Sequence, residues 1–177
     1  MKPNAPRILL FTGDGKGKTT AALGMVLRAS GHDLKSFIVQ FIKTAGETGE
    51  LSACGHLPGV EIVQAGLGFL PDNKTNPTFA AHQTAAQEGL KTATAAIADR
   101  TYDLVVMDEI CLAVTKGLLT EEAVIESIHK AGPELVIVMT GRQAPAGLIS
   151  LADTVTEMTM IKHGYVAGWP AQKGVEF

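Results

Sequence analysis

Residues 13–20 read Gly-Asp-Gly-Lys-Gly-Lys-Thr-Thr, and they lie between an apolar segment at 8–11 and an alanine-rich segment that begins at residue 21. A strand, a glycine-rich turn, Gly-Lys-Thr and a helix make up the Walker A motif, in which backbone N–H groups point at bound phosphate. Gly17, Lys18 and Thr19 occupy the last three positions of that motif. The pattern therefore predicts a phosphate-binding loop between the first strand and the first helix.

This loop has its own glycine spacing. Thr12 stands where the Walker A pattern normally begins with glycine. Glycines within the loop let the backbone approach phosphate oxygens closely and adopt positive φ. The alternative is an ordinary glycine-rich turn with solvated lysines, and the flanking strand and helix patterns favour phosphate binding over it. The predicted phosphate-binding residues are Gly13, Asp14, Gly15, Lys16, Gly17, Lys18, Thr19 and Thr20.

An apolar segment that ends in two acids, residues 102–109, predicts a second part of the site. In a P-loop protein the carboxylate at the end of such a strand holds Mg²⁺, while the loop threonine ligates the same ion. Asp108 and Thr19 are therefore the predicted metal ligands. Glu109 has three open roles, since an acid at this place can contact the metal, orient a nucleophile or contact a ribose. Lys18 is expected to meet the terminal phosphates as a point charge.

Length and composition predict one domain, residues 1–177, with an ordinary core. The formal net charge of -3 offers no basic surface for nucleic acid. Cys54 and Cys111 match neither a zinc pattern nor a disulfide framework, which indicates reduced, half-buried thiols in a cytosolic protein. No apolar run approaches the ~18 residues of a membrane span, and residues 1–3 lead directly to the first strand. We therefore expect a cytoplasmic protein that binds neither nucleic acid nor membrane.

Strand and helix patterns alternate along the rest of the chain. The alternation predicts an α/β P-loop fold of the recombinase-like type, with three layers and a mostly parallel central sheet. On the first helix we expect Leu23, Val26 and Leu27 to be buried, and we expect Trp169 to be a packing anchor. The predicted strands are 7–12, 35–41, 60–65, 102–109, 135–140 and 154–161, and the predicted helices are 19–30, 79–99, 120–130 and one that Pro145 opens.

Three connections are candidates for ligand contact. Residues 43–50 are polar and follow the second strand at the sheet edge where ligands bind in open α/β folds, although a solvated connector is equally expected there. Residues 66–77 form a long connection, in which Phe69 and Leu70 either cover a ligand or hold the loop on the body of the protein. Arg142 lies near a predicted helix N-terminus, where a cation is disfavoured unless an anion compensates it. A nucleotide phosphate or one of the strand-end carboxylates would serve.

The order of these motifs resembles the P-loop ATP:corrinoid adenosyltransferases, the cob(I)yrinic acid a,c-diamide adenosyltransferase family of cobalamin biosynthesis and salvage. The resemblance runs essentially along the whole chain. The phosphate loop of this family also has threonine, as Thr12 here, at the position where the general Walker A pattern has glycine. The residues that carry it are 12–22, 40–43, 49–50, 68–69, 103–109, 140–142, 152–153, 162–163 and 171–174.

The resemblance implies transfer of the 5′-deoxyadenosyl group of ATP to a corrinoid. Cobalt reduced to Co(I) attacks the ribose C5′ and triphosphate leaves, with ATP bound in the reverse sense relative to hydrolases. The resemblance further implies Mg²⁺, an electron donor such as a flavoprotein, and a homodimer. By this resemblance residues 13–20 and Arg142 bind ATP, Thr19, Asp108 and Glu109 bind the metal, Lys16, Lys18 and Glu109 are catalytic, and Phe69 and Leu70 bind the corrinoid.

Two features of this chain depart from familiar members. The connection at residues 66–77, which we call the lid loop, has Leu70-Pro71 where those members have Thr-Trp. Only a few residues precede the first strand, where longer members carry an N-terminal extension. Two other functions stay open. An ATPase or small-molecule kinase would use Asp108 and Glu109 to orient water or a hydroxyl. A non-catalytic corrinoid or nucleotide carrier would account for the missing aromatic of the lid loop.

Overall fold

A parallel sheet of the order β3-β2-β4-β5-β1-β6 forms the centre of the molecule. The computed structural model describes residues 4–44, 46, 48–71 and 75–175. The strands of this part of the chain are β1 Arg7–Thr12, β2 Ser36–Thr44, β3 Val60–Gly66, β4 Leu104–Asp108, β5 Val136–Thr140 and β6 Thr154–Glu157. Its helices are α1 Lys18–Ser30, α2 Gly49–Cys54, α3 Phe79–Ala98, α4 Ile110–Thr115, α5 Glu121–Ile128 and α6 Ala146–Leu151.

Every strand pairing in the described chain is parallel, which confirms the predicted α/β class. The central strands are apolar and buried on both faces, as expected where helices cover a parallel sheet on two sides. β6 differs, because all four of its residues are exposed at the edge of the sheet. The strand predicted to reach residue 161 ends at Glu157.

Helices on the two faces of the sheet complete the predicted three layers. Successive strand residues point to opposite faces, so Ile38 packs in the cluster under α1 whereas Val39 packs in the cluster under α3. The buried residues of α1 include Ala22, Val26 and Ala29. Leu27 is 60% exposed, so the prediction that it is buried was wrong, although the adjacent Val26 is buried as predicted.

The structure contains two short helices that the sequence patterns did not predict. Thr48 caps α2, where its side-chain oxygen accepts a hydrogen bond from the backbone N–H of Leu51. The predicted loop at 43–50 therefore runs into a helix. α4 follows directly after Glu109. Each of these helices spans six residues, too few for a helical repeat to stand out in the sequence.

Three further expectations concern side-chain burial. Trp169 is 71% exposed, so it is not the predicted packing anchor. Cys54 and Cys111 are free thiols as predicted, but both are buried rather than half-buried. Burial raises the pKa of Cys111 to about 12, with a smaller contribution from Glu109. Among the described residues, no helix has both the length and the apolar character that crossing a bilayer requires.

The register of the sheet determines where the polar strand ends meet. Gln40 of β2 lies beside Asp108 of β4, and Phe11 of β1 lies beside Thr140 of β5. The carboxyl ends of parallel strands share one edge of a sheet, which is where open α/β folds bind their ligands. The loop after β1 lies at the same edge.

Candidate active site

The loop between β1 and α1 packs against the residues that follow β6. The backbone N–H of Gly15 donates to the carbonyl oxygen of Met158 at 2.6 Å. A Cβ atom at Gly13 or at Gly15 would lie 2.5 or 2.6 Å from that same oxygen, closer than a real side chain permits. The backbone of Met158 therefore requires glycine at both positions. A phosphate bound close to the loop would require it as well.

Lys18 is held inside this loop and is 6% exposed. Its ammonium donates to the carbonyl oxygens of Gly13 at 2.6 Å and Gly15 at 2.7 Å. Burial lowers the pKa of Lys18, whereas the nearby Glu109 carboxylate opposes that shift. The loop therefore holds a compact cation at the point where the Walker A pattern predicts phosphate.

Asp108 is 1% exposed and accepts hydrogen bonds from three side chains. The hydroxyls of Thr19 and Thr140 each donate to Oδ1 at 2.7 Å, and the amide of Gln40 donates to Oδ2 at 3.1 Å. The structure thus brings together Asp108 and Thr19, the two predicted metal ligands. Gln40 and Thr140 were not predicted as site residues. The available signal was a polar side chain at the carboxyl end of an otherwise apolar strand.

Glu109 has a left-handed backbone, with φ 62° and ψ 23°. Its N–H donates to the Thr140 hydroxyl at 2.8 Å. Its side-chain Oε2 is buried and has no hydrogen-bond partner among the described residues. Burial raises the pKa of Glu109, the adjacent Asp108 raises it further, and Lys18 and Arg142 oppose the shift. This oxygen is suited to coordinate a cation or to accept a hydrogen bond from a hydroxyl group.

These carboxylates and the Thr19 hydroxyl fit a magnesium ion. Mg²⁺ prefers oxygen ligands and is usually held by one or two carboxylates together with substrate phosphates. Asp108 and Thr19 are already in contact, and the Oε2 atom of Glu109 is without a partner. In the part of the chain that the structure describes, no three or more His, Cys, Asp or Glu side chains cluster as a metal site. Phosphate oxygens would therefore complete the coordination.

A cavity of about 470 Å³ opens in front of the loop. Its wall contains the predicted residues Lys16, Lys18, Thr19, Glu109 and Arg142. Gly13 and Asp14 belong to the same loop but lie outside the cavity lining. The full lining is Gly15, Lys16, Gly17, Lys18, Thr19, Thr20, Leu23, Lys43, Gly49, Glu50, Glu109, Arg142, His163, Gly174 and Val175.

Several of these lining residues were not predicted as site residues. Lys43 and Glu50 form an ion pair on the cavity wall. Burial alone would raise the pKa of Glu50, but hydrogen bonds from Lys43, the backbone and Gln40, together with the charge of Lys43, outweigh burial and the pKa is lowered. Both residues belong to the stretch 43–50 that the sequence indicated as a candidate for ligand contact, and the structure places Lys43 at the end of β2 and Glu50 in α2. His163, Gly174 and Val175 come from the C-terminal segment.

The predicted corrinoid contacts lie apart from this cavity. Phe69 is 96% exposed, and Leu70 packs against the main core. The backbone N–H of Gly68 donates to the carbonyl oxygen of Ile42 at 3.0 Å, which ties this loop to the end of β2. The loop thus holds Leu70 on the body of the protein and presents Phe69 to solvent.

The sheet, the glycine loop and the strand-end carboxylates define a P-loop nucleotide-binding protein. The crystal structure of the flagellar accessory protein FlaH from Methanocaldococcus jannaschii has the same fold, with a TM-score of 0.52 at 13% identity, over 88% of this chain and 71% of that one. Residues 4–177 match the family described as ATP:corrinoid adenosyltransferase BtuR/CobO/CobP. The chain belongs to that family, which confirms the family and the enzyme class predicted from the motif order.

Curated relatives carry the same description. The corrinoid adenosyltransferase of Pseudomonas aeruginosa is 42% identical over 96% of this chain and 83% of its own length. That of Escherichia coli strain K12 is 36% identical, over 96% of this chain and 85% of its own. The corrinoid adenosyltransferase CobA of Salmonella typhimurium is 35% identical with the same coverage.

We expect Glu109→Gln to stabilise the protein in the absence of ligands. Because the pKa of Glu109 is raised, the folded protein holds this proton more tightly than the unfolded chain does. The resulting stability is fully present below the ordinary carboxyl pKa and is lost as pH rises through the folded pKa. The variant should therefore melt a few degrees higher than the wild type at neutral pH, and this gap should close in acid.

Thermal unfolding followed by circular dichroism between pH 4 and 8 measures this difference. Glu126→Gln is a suitable control, because Glu126 is an exposed carboxylate on α5. A Glu109→Gln variant less stable than the wild type at pH 7 would contradict the expectation.

Proposed function

We propose that this enzyme transfers the 5′-deoxyadenosyl group of ATP to the cobalt of a reduced Co(I) corrinoid and releases triphosphate. The observation that carries the proposal is the buried Lys18 ammonium inside a glycine loop, at one wall of a 470 Å³ cavity, in a chain of the adenosyltransferase family. A cation and backbone amides placed there would bind the triphosphate as a leaving group.

In this reaction the protein has two tasks, which are to position the substrates and to neutralise the charge on the departing triphosphate. The Co(I) centre of the substrate supplies the electron pair that forms the bond to C5′. The bond from C5′ to oxygen breaks, and its electron pair leaves with triphosphate. Because the nucleophile belongs to the substrate, no Ser or Cys nucleophile is needed, and positioning C5′ is the main task of the chain.

The cavity lining supports the following roles for the site residues. Residues 13–20 and Arg142 bind ATP, with the triphosphate in the loop and C5′ facing outward. Lys16, Lys18 and Glu109 act in catalysis, the two lysines by neutralising charge that gathers on the departing triphosphate. The cationic residues Lys16, Lys18 and Arg142 in the cavity lining support a triphosphate site there.

Thr19, Asp108 and Glu109 would hold Mg²⁺. A bound ion would neutralise negative charge on the triphosphate. The contact between Thr19 and Asp108, and the unpartnered Oε2 of Glu109, support this assignment. Gln40 and Thr140 orient Asp108 through their hydrogen bonds.

Phe69 and Leu70 would bind the corrinoid. An exposed aromatic ring beside an anchored leucine suits the flat, apolar face of a large macrocycle. We further propose a cytoplasmic homodimer that receives its electron from a donor such as a flavoprotein. Two free, buried cysteines agree with a reducing compartment.

Incubation with MgATP, a strong reductant and cobalamin tests the reaction. Adenosylcobalamin formation should change the visible absorbance, and triphosphate should appear in equal amount only when corrinoid is present. An ATPase or kinase would instead release ADP without corrinoid. Product released over multiple cycles would exclude a non-catalytic carrier. A flat absorbance trace from folded, ATP-binding protein would refute the proposal.

We expect Phe69→Ala to raise the KM for corrinoid several-fold while ATP binding stays unchanged. The ring is almost fully exposed, so its loss removes a substrate contact without opening a cavity in the fold. Steady-state kinetics with varied cobalamin, and titration calorimetry with ATP, measure the two effects. Leu67→Ala is the matched control, since Leu67 is a half-exposed apolar residue of the same loop. An unchanged KM would remove Phe69 from the corrinoid site.

A further inference from the structure

The chain that follows β6 passes directly along the phosphate loop. The N–H of Met158 donates to the carbonyl oxygen of Thr12 at 2.8 Å, and the carbonyl of Met158 accepts from Gly15 at 2.6 Å. Met158 therefore contacts both the strand before the loop and the loop itself. The start of the C-terminal segment, residues 158–175, is part of the structural support of this loop.

The other end of the C-terminal segment returns to the same loop. The ammonium of Lys16 donates to the carbonyl oxygen of Val175 at 2.6 Å. Between the two ends, Gly164 accepts hydrogen bonds from the N–H groups of Ala167 and Trp169, each at 2.9 Å. The C-terminal segment thus contains a hydrogen-bonded turn, and both of its ends contact the phosphate loop. His163, within this segment, lines the cavity.

The hydrogen bonding of His163 determines which ring nitrogen carries a proton. The N–H of Tyr165 donates to Nδ1 at 3.1 Å, so Nδ1 is an acceptor and the neutral ring carries its proton on Nε2. Among the described residues, this is the only hydrogen bond that the imidazole makes. Nε2 is therefore a proton donor in the neutral ring as well as in the charged one.

The surroundings of His163 select the ligand that this donor would meet. The cavity lining has four cationic side chains, Lys16, Lys18, Lys43 and Arg142, against the two carboxylates Glu50 and Glu109, so this excess of positive charge favours an anion as the ligand of the imidazole. The phosphate loop forms the adjoining wall. A phosphate oxygen is the acceptor that matches both features.

We propose that His163 is a triphosphate-binding residue, held in place by the C-terminal segment, and that its Nε2–H donates to an oxygen of the ATP triphosphate. The proposal rests on the proposed function, because it takes the cavity as the ATP site. It extends the phosphate-binding set beyond the Walker A loop to a segment more than a hundred residues away in sequence.

Titration calorimetry with three ligands tests the proposal: MgATP, inorganic tripolyphosphate with Mg²⁺, and adenosine. His163→Ala should weaken MgATP and tripolyphosphate by the same factor, roughly tenfold for a hydrogen bond to a charged group, and leave adenosine unchanged. His163→Gln keeps an N–H donor and should recover part of the affinity. His129→Ala is the control, because His129 is exposed at the end of α5.

The outcomes separate this proposal from the proposed function. Wild-type affinity of His163→Ala for tripolyphosphate would overturn the role of His163 while leaving adenosyl transfer intact. Equal weakening of adenosine would also overturn it, since the residue would then act on the nucleoside or on the fold. If the wild type binds tripolyphosphate but transfers no adenosyl group, a selective effect of His163→Ala still supports the phosphate contact.

Discussion

Lys18→Ala is expected to lower the rate of adenosyl transfer by at least one to two orders of magnitude. Donors that meet developing charge are commonly worth ~3 kcal/mol, and Lys18 is a buried cation within the phosphate loop. The melting temperature should change little by comparison, because burial already lowers the pKa of Lys18 and its charge is costly to bury. Single-turnover transfer with saturating MgATP and cob(I)alamin measures the loss.

Two matched variants sharpen this test. Lys18→Arg keeps the charge, but the two short bonds to Gly13 and Gly15 suit a compact ammonium rather than a planar guanidinium, so little activity should return. Lys116→Ala removes an exposed lysine after α4 and should transfer at the wild-type rate. Unchanged turnover of Lys18→Ala would mean that the triphosphate binds elsewhere.

Asp108→Asn is expected to raise the Mg²⁺ concentration for half-maximal transfer by at least about 10- to 100-fold, since that range is found for groups that only orient a metal ligand and Asp108 is a proposed ligand itself. Two hydroxyls and an amide already donate to this carboxylate. The asparagine removes the negative charge and brings an NH₂ group against donors, so the variant loses both the ligand and its orientation. Transfer rates across a Mg²⁺ titration measure the shift.

Two further substitutions serve as comparisons for Asp108→Asn. Gln40→Met keeps the carboxylate but removes its contact at Oδ2, and should give a smaller shift in the same direction. Ser36→Ala changes another buried polar residue of β2, whose hydroxyl has no partner among the described residues, and should leave the Mg²⁺ dependence unchanged. If Asp108→Asn matched the wild type at every Mg²⁺ concentration, the ion would have to bind elsewhere.

Features that depend on neighbours within a few residues could be predicted from the sequence. The glycine spacing indicated the loop, and apolar runs indicated the buried strands. The helix predicted at 120–130 is present as α5, and Thr120 caps it, since its side-chain oxygen accepts from the N–H of Ala123. The order of motifs along the chain was enough to indicate the family.

The errors lie where local patterns are weakest. The helical repeat of apolar residues placed Leu27 on the buried face of α1. In the structure the adjacent Val26 is buried and Leu27 is exposed. Trp169 is large and apolar, yet it lies in an exposed turn, where its N–H donates to the carbonyl oxygen of Gly164, rather than in a core. The helices α2 and α4 are too short to produce a repeat, so only their contacts in the folded protein reveal them.

By itself, the sequence determined the glycine-rich loop between β1 and α1, the α/β class and the family, because each depends on residues that are close along the chain or on their order. Tertiary structure alone decided that Gln40 and Thr140 hold Asp108, and that His163 faces the same cavity as Lys18. The physical reason is the strand order β3-β2-β4-β5-β1-β6, which brings together strand ends that are far apart in sequence. Such contacts form only when the whole sheet pairs, and no local pattern encodes them.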